Sequence, residues 1–228
     1  YKTSFTLSKQ FYIVALSSTI EIWNLFIDKK LSIDFNYFGT IKGELASAKF
    51  DVFKLIIKNT PLEMKENILN DILYPAITKN NKDLVTFLFS QNIEFENDED
   101  SLFLAVNTQD IEMIDIVLKY NSQPNFINAI SKNGTALYNA VKINNISIVK
   151  RLLSVPGIKP SLYGSNKETP LILAAKQFSV EITNLLLDFI GEKINQFEIN
   201  EVIKSIINIR SVSGAASIIS ILTKISTI

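Results

Sequence analysis

The one dense group of side chains able to do chemistry is Glu94, Glu96, Asp98, Glu99 and Asp100. Such a run could hold a hard cation, meet a basic partner, or offer a carboxylate pair for acid–base work. A calcium loop wants alternating oxygen ligands, a central glycine and a distal glutamate, and the glycine is missing here. A glycosidase pair needs a pocket that fixes the separation of its carboxylates, whereas this run sits in a projecting loop. A solvated acidic loop is the reading, with an electrostatic contact for a basic partner as the sharper alternative. Composition removes other chemistry. The chain has no histidine and no cysteine, so disulfides, thiolate metal sites, thiol catalysis and Ser-His-Asp triads are excluded. Gly39 and Gly43 are the closest pair of glycines, and no phosphate-cradling glycine motif occurs. No catalytic residue, cofactor, metal or small-molecule substrate is expected.

The elements that would carry any site follow from composition and period. In 228 residues, 47% are apolar and 20% charged, which suits a well-buried folded chain. Lys+Arg 23 against Asp+Glu 23 leaves no net field to draw in nucleic acid or acidic lipid. Seven glycines and six prolines argue for helices with short links rather than a many-turned β fold. No run reaches the roughly 18–20 uncharged apolar residues of a membrane span. The nearest, Val212–Ile228, is broken by Lys224 and reads as a buried amphipathic helix. No secretory signal stands at the start, so a cytoplasmic (intracellular) location is expected. The chain opens at Tyr1 without methionine and reads as a piece of something longer. Asn133-Gly134-Thr135 and Asn145-Ile146-Ser147 match the glycosylation pattern, which matters only in a secreted chain.

Two segments align at once. Asn133-Gly134-Thr135-Ala136-Leu137-Tyr138-Asn139-Ala140, with Ile148-Val149 and Leu152-Leu153 beyond it, matches Lys167-Glu168-Thr169-Pro170-Leu171-Ile172-Leu173-Ala174, with Ile182 and Leu186-Leu187. Apolar anchors fall at a first residue and then at +3, +11 and +15. The same ruler fits Leu102, Ala105, Met113-Ile114 and Val117-Leu118, and Leu73, Ala76, Leu84-Val85 and Leu88-Phe89. It fits Ile41, Val52-Phe53 and Ile56-Ile57 with Glu44 in the small-residue slot. It also fits Phe11, Val14, Ile22-Trp23 and Phe26-Ile27 with bulkier residues. Repeats therefore start near 11, 41, 73, 102, 137 and 171, and each reads as a short helix, a tight turn, a longer helix and a loop. Ala76, Ala105, Ala140 and Ala174 should be buried where helices meet. Thr169 should cap a helix beginning at Pro170.

The inter-helix turns fall at Asn80-Asn81, Gln109-Asp110, Asn144-Asn145 and Phe178-Ser179. Asn92 and Asn121 stand just past second helices. Asparagine tolerates the left-handed backbone best after glycine, so Asn80, Asn92, Asn121 and Asn144 should lie at or beside such a residue. Residues 201–228 carry Val202, Ile206, Ile207, Ile218, Ile219 and Leu222, and read as a C-terminal cap whose turn is stretched over Arg210–Gly214. Trp23 and most phenylalanines fall on the apolar stripe. Phe178, in a turn, and Tyr163, in a loop, are candidate exposed anchors.

Thr-Pro-Leu-x-x-Ala-Ala followed by Ile-x-x-x-Leu-Leu, at a spacing near 33, resembles the ankyrin repeat. The likeness is fullest over 134–200, extends through 71–122 and thins over 11–60, where the repeats read as a degenerate capping region. The family's usual histidine after the first leucine is replaced by Tyr74, Phe103, Tyr138 and Ile172. The resemblance implies an all-α solenoid of stacked helix-turn-helix repeats, taken as one domain over 1–228, with a concave face that binds another protein. Carried over position by position, the binding residues on the first helices and turns are Thr78, Lys79, Asn107, Thr108, Lys142, Ile143, Lys176, Gln177 and Phe178. The loop residues are Glu96, Glu99, Asn133, Ser165, Asn166 and Glu168. A non-catalytic interaction or scaffold module is the implied function; the alternative is a targeting or structural segment of a larger enzyme, toxin or cytoskeletal assembly protein.

Overall fold

In a computed structural model, residues 42–91, 98–164, 168–191, 196–207 and 212–225 are described, with positions 21, 24, 93, 95 and 194. The repeat beginning near Phe11, with Trp23, lies outside the described residues, as does Ile41. The contacts group into two compact parts, Tyr1–Asp98 and Glu99–Ile228.

In the first part, α1 (Lys42–Ala46) and α2 (Phe50–Asn59) form one helix pair, and α3 (Leu62–Thr78) and α4 (Lys82–Phe89) the next. Helices α1 and α3 pack together, and Phe87 of α4 meets Phe50 and Phe53 of α2 edge-on at 5.6 and 6.0 Å. Val52, Phe53, Ile56 and Ile57 are buried, as the stripe requires. The small-residue slot is not where the spacing put it. Glu44 is exposed, and Leu45, Ala46 and Ala48 turn inward instead. No left-handed residue stands between α1 and α2, so the short helix presents a different side to its partner. Helix α3 begins two turns earlier than a short first helix would, because Ile68 and Leu69 are themselves buried and lengthen the apolar face upstream of Leu73.

The second part is an all-α repeat solenoid with first helices α5 (Ser101–Asn107), α8 (Ala136–Lys142), α10 (Pro170–Lys176) and α12 (Gln196–Ile207). Each packs against the next. The second helices are α6 (Ile111–Tyr120), α9 (Ile146–Leu153), α11 (Val180–Ile190) and α13 (Val212–Ile225), of which α9, α11 and α13 pack in succession. A short helix, α7 (Pro124–Ile127), is inserted in the loop after α6 and buries Phe126 and Ile127. The terminal pair starts at Gln196 rather than 201. Val212 to Gly214 belong to α13, so the turn does not reach Gly214. Val202, Ile206, Ile218 and Leu222 are buried in this pair. No helix among the described residues is long and apolar enough to cross a membrane.

The register of the repeats is clear. Ala76, Ala105, Ala140 and Ala174 have no exposed surface, and each follows by three residues a buried leucine, Leu73, Leu102, Leu137 or Leu171. The turns close through a left-handed residue, as the residue type suggests at Asn80 and Asn144 and against it at Phe178. Asn80, Gln109, Asn144 and Phe178 all have φ between 54° and 56°. The N–H three residues beyond the helix then reaches back to the alanine carbonyl: Asn81 to Ala76, Asn145 to Ala140 and Ser179 to Ala174, at 3.0 to 3.2 Å. The second turn residue opens the next helix, since the side chains of Asn81, Asp110 and Asn145 accept from backbone N–H groups of α4, α6 and α9. Thr135 and Thr169 cap α8 and α10 in the same way. Asn121 departs from expectation, with φ −143°. Its side-chain oxygen accepts from the Gln123 N–H at 3.0 Å and leads the chain into α7, so no reversal is needed there. Asn92 lies outside the described residues.

Asn144 is exposed, and valine and glycine lose its bond from Ser179 Oγ alike, so comparing the two variants isolates the backbone conformation. Asn144→Val should cost about 1–2 kcal/mol, because a β-branched residue resists the left-handed region, while Asn144→Gly should stay within about 0.5 kcal/mol. Equal urea midpoints for the two variants would refute the role of the turn. Ser101 fills the slot held by Ala136 and Pro170 in the next repeats. Its fully buried Oγ has no hydrogen-bond partner among the described residues. Ser101→Ala should therefore raise stability by about 1 kcal/mol at unchanged denaturant slope.

Candidate protein-binding surface

The residues expected to bind lie at the C-terminal ends of the first helices and in the loops before them. In the first part, Thr78 and Lys79 close α3 and are exposed, and the Thr78 hydroxyl donates to the Tyr74 carbonyl at 2.8 Å. The remaining described candidates belong to the second part.

There, Asn107, Lys142 and Lys176 occupy one structural position in successive repeats, the last residue of α5, α8 and α10. Thr108, Ile143 and Gln177 follow them, and then come the left-handed residues Gln109, Asn144 and Phe178. Packing of α5 on α8 and of α8 on α10 brings these positions into a row. Lys142, Asn107 and Gln177 are exposed, and Thr108, Ile143, Lys176 and Phe178 are half-buried.

Several of these side chains already hold the neighbouring repeat. Asn107 Oδ1 accepts from Nδ2 of buried Asn139 at 2.8 Å. Gln177 Nε2 donates to the Lys142 carbonyl at 3.0 Å, and Ser179 Oγ donates to Asn144 Oδ1 at 2.6 Å. Lys176 pairs with Glu168. In the first part, Asn81 Nδ2 likewise donates to the Ala46 carbonyl at 2.9 Å. The bonds to the Lys142 and Ala46 carbonyls satisfy helix-end groups left over by the helix ladder, and those of Asn139 and Ser179 join side chains of adjacent repeats, tasks that exposure alone does not reveal. The side chains of Lys142, Ile143 and Phe178 make no polar contact among the described residues and form the available part of the row.

Among loop candidates, Glu99 is exposed on the 3-10 turn Asp98–Asp100, and Asn133 is exposed in the turn closed by Ser131 and Gly134. Glu96, Ser165 and Asn166 lie outside the described residues. No group of acidic side chains among the described residues is placed to hold a metal ion.

Two features were not read from the sequence. Tyr138, at the place where the family usually has histidine, is buried, and its ring occupies the space above Gly134 and Gly164. A Cβ on Gly164 would stand 2.2 Å from the Tyr138 ring. Asn128, also buried, donates to the Pro124 and Gly157 carbonyls at 2.7 and 2.9 Å and accepts from the Lys159 N–H at 2.8 Å. Together they pin both ends of the loop 157–164. Nothing local in the sequence shows that a ring and a glycine 26 residues apart will meet.

Residues 102–198 match the family model for ankyrin repeats, in three copies. A protein of Acanthamoeba polyphaga mimivirus named as ankyrin repeat protein L675 is 28% identical over 117 residues, which cover 51% of this chain. The matched stretch spans 22% of that relative's length.

Gly164→Ala should force the Tyr138 ring aside and cost about 1–3 kcal/mol as an overpacked site. Ser161→Ala in the same loop, being exposed, should stay within about 0.5 kcal/mol. Thermal melts of the two variants check this, and a silent Gly164→Ala would mean that the ring does not rest on the loop.

Proposed function

We propose that this chain, whose residues 102–198 match the ankyrin-repeat model, is a non-catalytic module that binds a partner protein through the turn ends of its first helices. Ankyrin repeats generally mediate protein–protein interaction and are generally non-catalytic. The observation that carries the reading is a contrast within one row of equivalent positions. The inward residues of the three helices are uniform, Leu102, Leu137 and Leu171 with Ala105, Ala140 and Ala174, all buried. The residues at the helix ends vary instead, as Asn107-Thr108-Gln109, Lys142-Ile143-Asn144 and Lys176-Gln177-Phe178, with only the lysine of the last two repeats shared. Packing requires the first set, and it leaves the second free to specify a partner.

Lys142, Ile143 and Phe178 supply a cation, an aliphatic and an aromatic in adjacent repeats, a mixture suited to a protein surface rather than to a phosphate backbone. The balanced overall charge supports the same choice. Asn107, Gln177 and the Lys176–Glu168 pair act in this proposal chiefly by holding the row in shape. Glu99 and Asn133 are proposed contributors from the loops, and Thr78 and Lys79 carry the corresponding positions of the first part.

Once a partner has been isolated from the native source, the combined change of Lys142, Ile143, Lys176 and Phe178 to alanine should weaken binding by more than about 2 kcal/mol. Lys150→Ala with Glu181→Ala removes an exposed ion pair on the outer helices and should leave affinity unchanged. Titration calorimetry against the purified partner gives both numbers. Binding that survives the fourfold change and is lost on the outer-helix change places the interface elsewhere.

A further inference from the structure

At the opposite end of α10 from the turn, two adjoining cavities of about 320 and 430 Å³ share Pro160, Ser161, Ile190 and Glu198 in their walls. We propose that this groove is a second docking site, for a segment of another protein that carries a large apolar side chain beside a lysine or arginine. The inference does not rest on the turn-end reading, since the groove shares no residue with that row.

The floor is apolar: Leu171 and Val202, both buried, lie beneath the first cavity, and Ile158 lies beneath the second. Two large rings border it while remaining open to solvent, Tyr163 at 57% exposure and Phe189 at 44%. Exposed aromatics over an apolar floor lose water readily when a complementary side chain enters. One wall is also held in advance. Asn128 fixes the loop at Gly157 and Lys159, Gly164 lies under the Tyr138 ring, and the Gly164 N–H donates to the Glu168 carbonyl at 2.8 Å. Pro160 restricts the stretch between these anchors further. A wall that is ordered before binding reduces the entropy lost when a ligand docks.

Charge selects the occupant. Glu198 and Glu201 stand one helical turn apart on α12 and both border the first cavity, which no lysine or arginine among the described residues lines, whereas Lys159 borders only the second. Lys204 reaches Glu201 from the outer side, at 2.7 Å and largely exposed. A cation that follows an apolar side chain into the groove meets this acidic edge beside low-dielectric walls, whereas an acidic segment is repelled.

A library of random short peptides displayed on phage, panned against the 228-residue protein, tests the proposal. The enriched peptides should share an aromatic or branched aliphatic residue next to Lys or Arg. A synthetic consensus peptide should bind Glu198→Gln/Glu201→Gln about ten-fold more weakly by fluorescence polarisation, and weaken with added salt. Tyr163→Ser, at an exposed position that the fold does not need, should give a similar loss with an unchanged circular dichroism melt. Lys142→Ala/Lys176→Ala should leave peptide affinity within about two-fold. The proposal is overturned by a library with no shared motif, by a motif without a cation, by peptides indifferent to the groove substitutions, or by peptides that respond to the Lys142/Lys176 change instead.

Discussion

A left-handed backbone step at Asn80, Gln109, Asn144 and Phe178 reverses the chain between the two helices of a repeat. At three of these turns, the N–H that follows lands on the carbonyl of the alanine which closes the helix contact. The alanine is thereby constrained twice. Its methyl must be small because the neighbouring helix lies against it, and its carbonyl must be reachable by the turn. A larger residue would separate the helices and misdirect the turn at once. Where the left-handed step is absent, between α1 and α2, the alanine register is absent as well: Glu44 points outward and Leu45, Ala46 and Ala48 fill the contact. Phe178 shows how strong the constraint is, since a bulky aromatic occupies a conformation that costs an L-residue roughly 1–2 kcal/mol. The geometry of the turn prevails over the preference of its residue.

Polar contacts between repeats follow the same period. Asn139 meets Asn107, Gln177 meets Lys142, Ser179 meets Asn144, and Arg151 meets Asp115, over sequence separations of 32, 35, 35 and 36 residues. Each joins a repeat to its immediate neighbour, as expected of a stack whose stability is a sum of repeat and interface terms. The surface pairs among them, such as Lys150 with Glu181, contribute little, because exposed ions are screened by water. Bonds that satisfy buried or helix-end groups matter more, Asn139 to Asn107 above all, because an unpaired buried amide costs more than the bond itself returns.

How much of this was legible depended on the range of the cause. Leu-x-x-Ala spacing, the Thr169-Pro170 start of α10 and the four inter-helix turns are local patterns, and all are found in the structure. Asn121 was misread because the same side chain can serve a left-handed reversal or an extended Asx turn, and the choice depends on where the chain goes next. Ahead of it lies α7, whose Phe126 and Ile127 become core only after neighbouring repeats cover them. The long α3 and the early start of α12 have the same origin: apolar residues outside the repeat template found a surface to pack on.

The proposed binding residues were legible as positions and not as chemistry. Repeat alignment places Asn107, Lys142 and Lys176 at one structural place, and exposure follows from the helix face. Whether such a side chain is free depends on a residue one repeat away. Gln177 is exposed and still engaged by the Lys142 backbone, whereas Phe178, next to it, has no polar group to engage. An exposed polar residue in a stacked repeat therefore has two possible clients, the adjacent repeat and a partner, and the adjacent repeat is always present at full effective concentration. Apolar side chains at the turn escape that competition because no carbonyl or amide selects them. Lys142 differs from Lys176, which Glu168 engages, in having no such acidic neighbour among the described residues. On this argument Lys142, Ile143 and Phe178 form the specific part of the proposed surface, while the amides beside them keep it rigid.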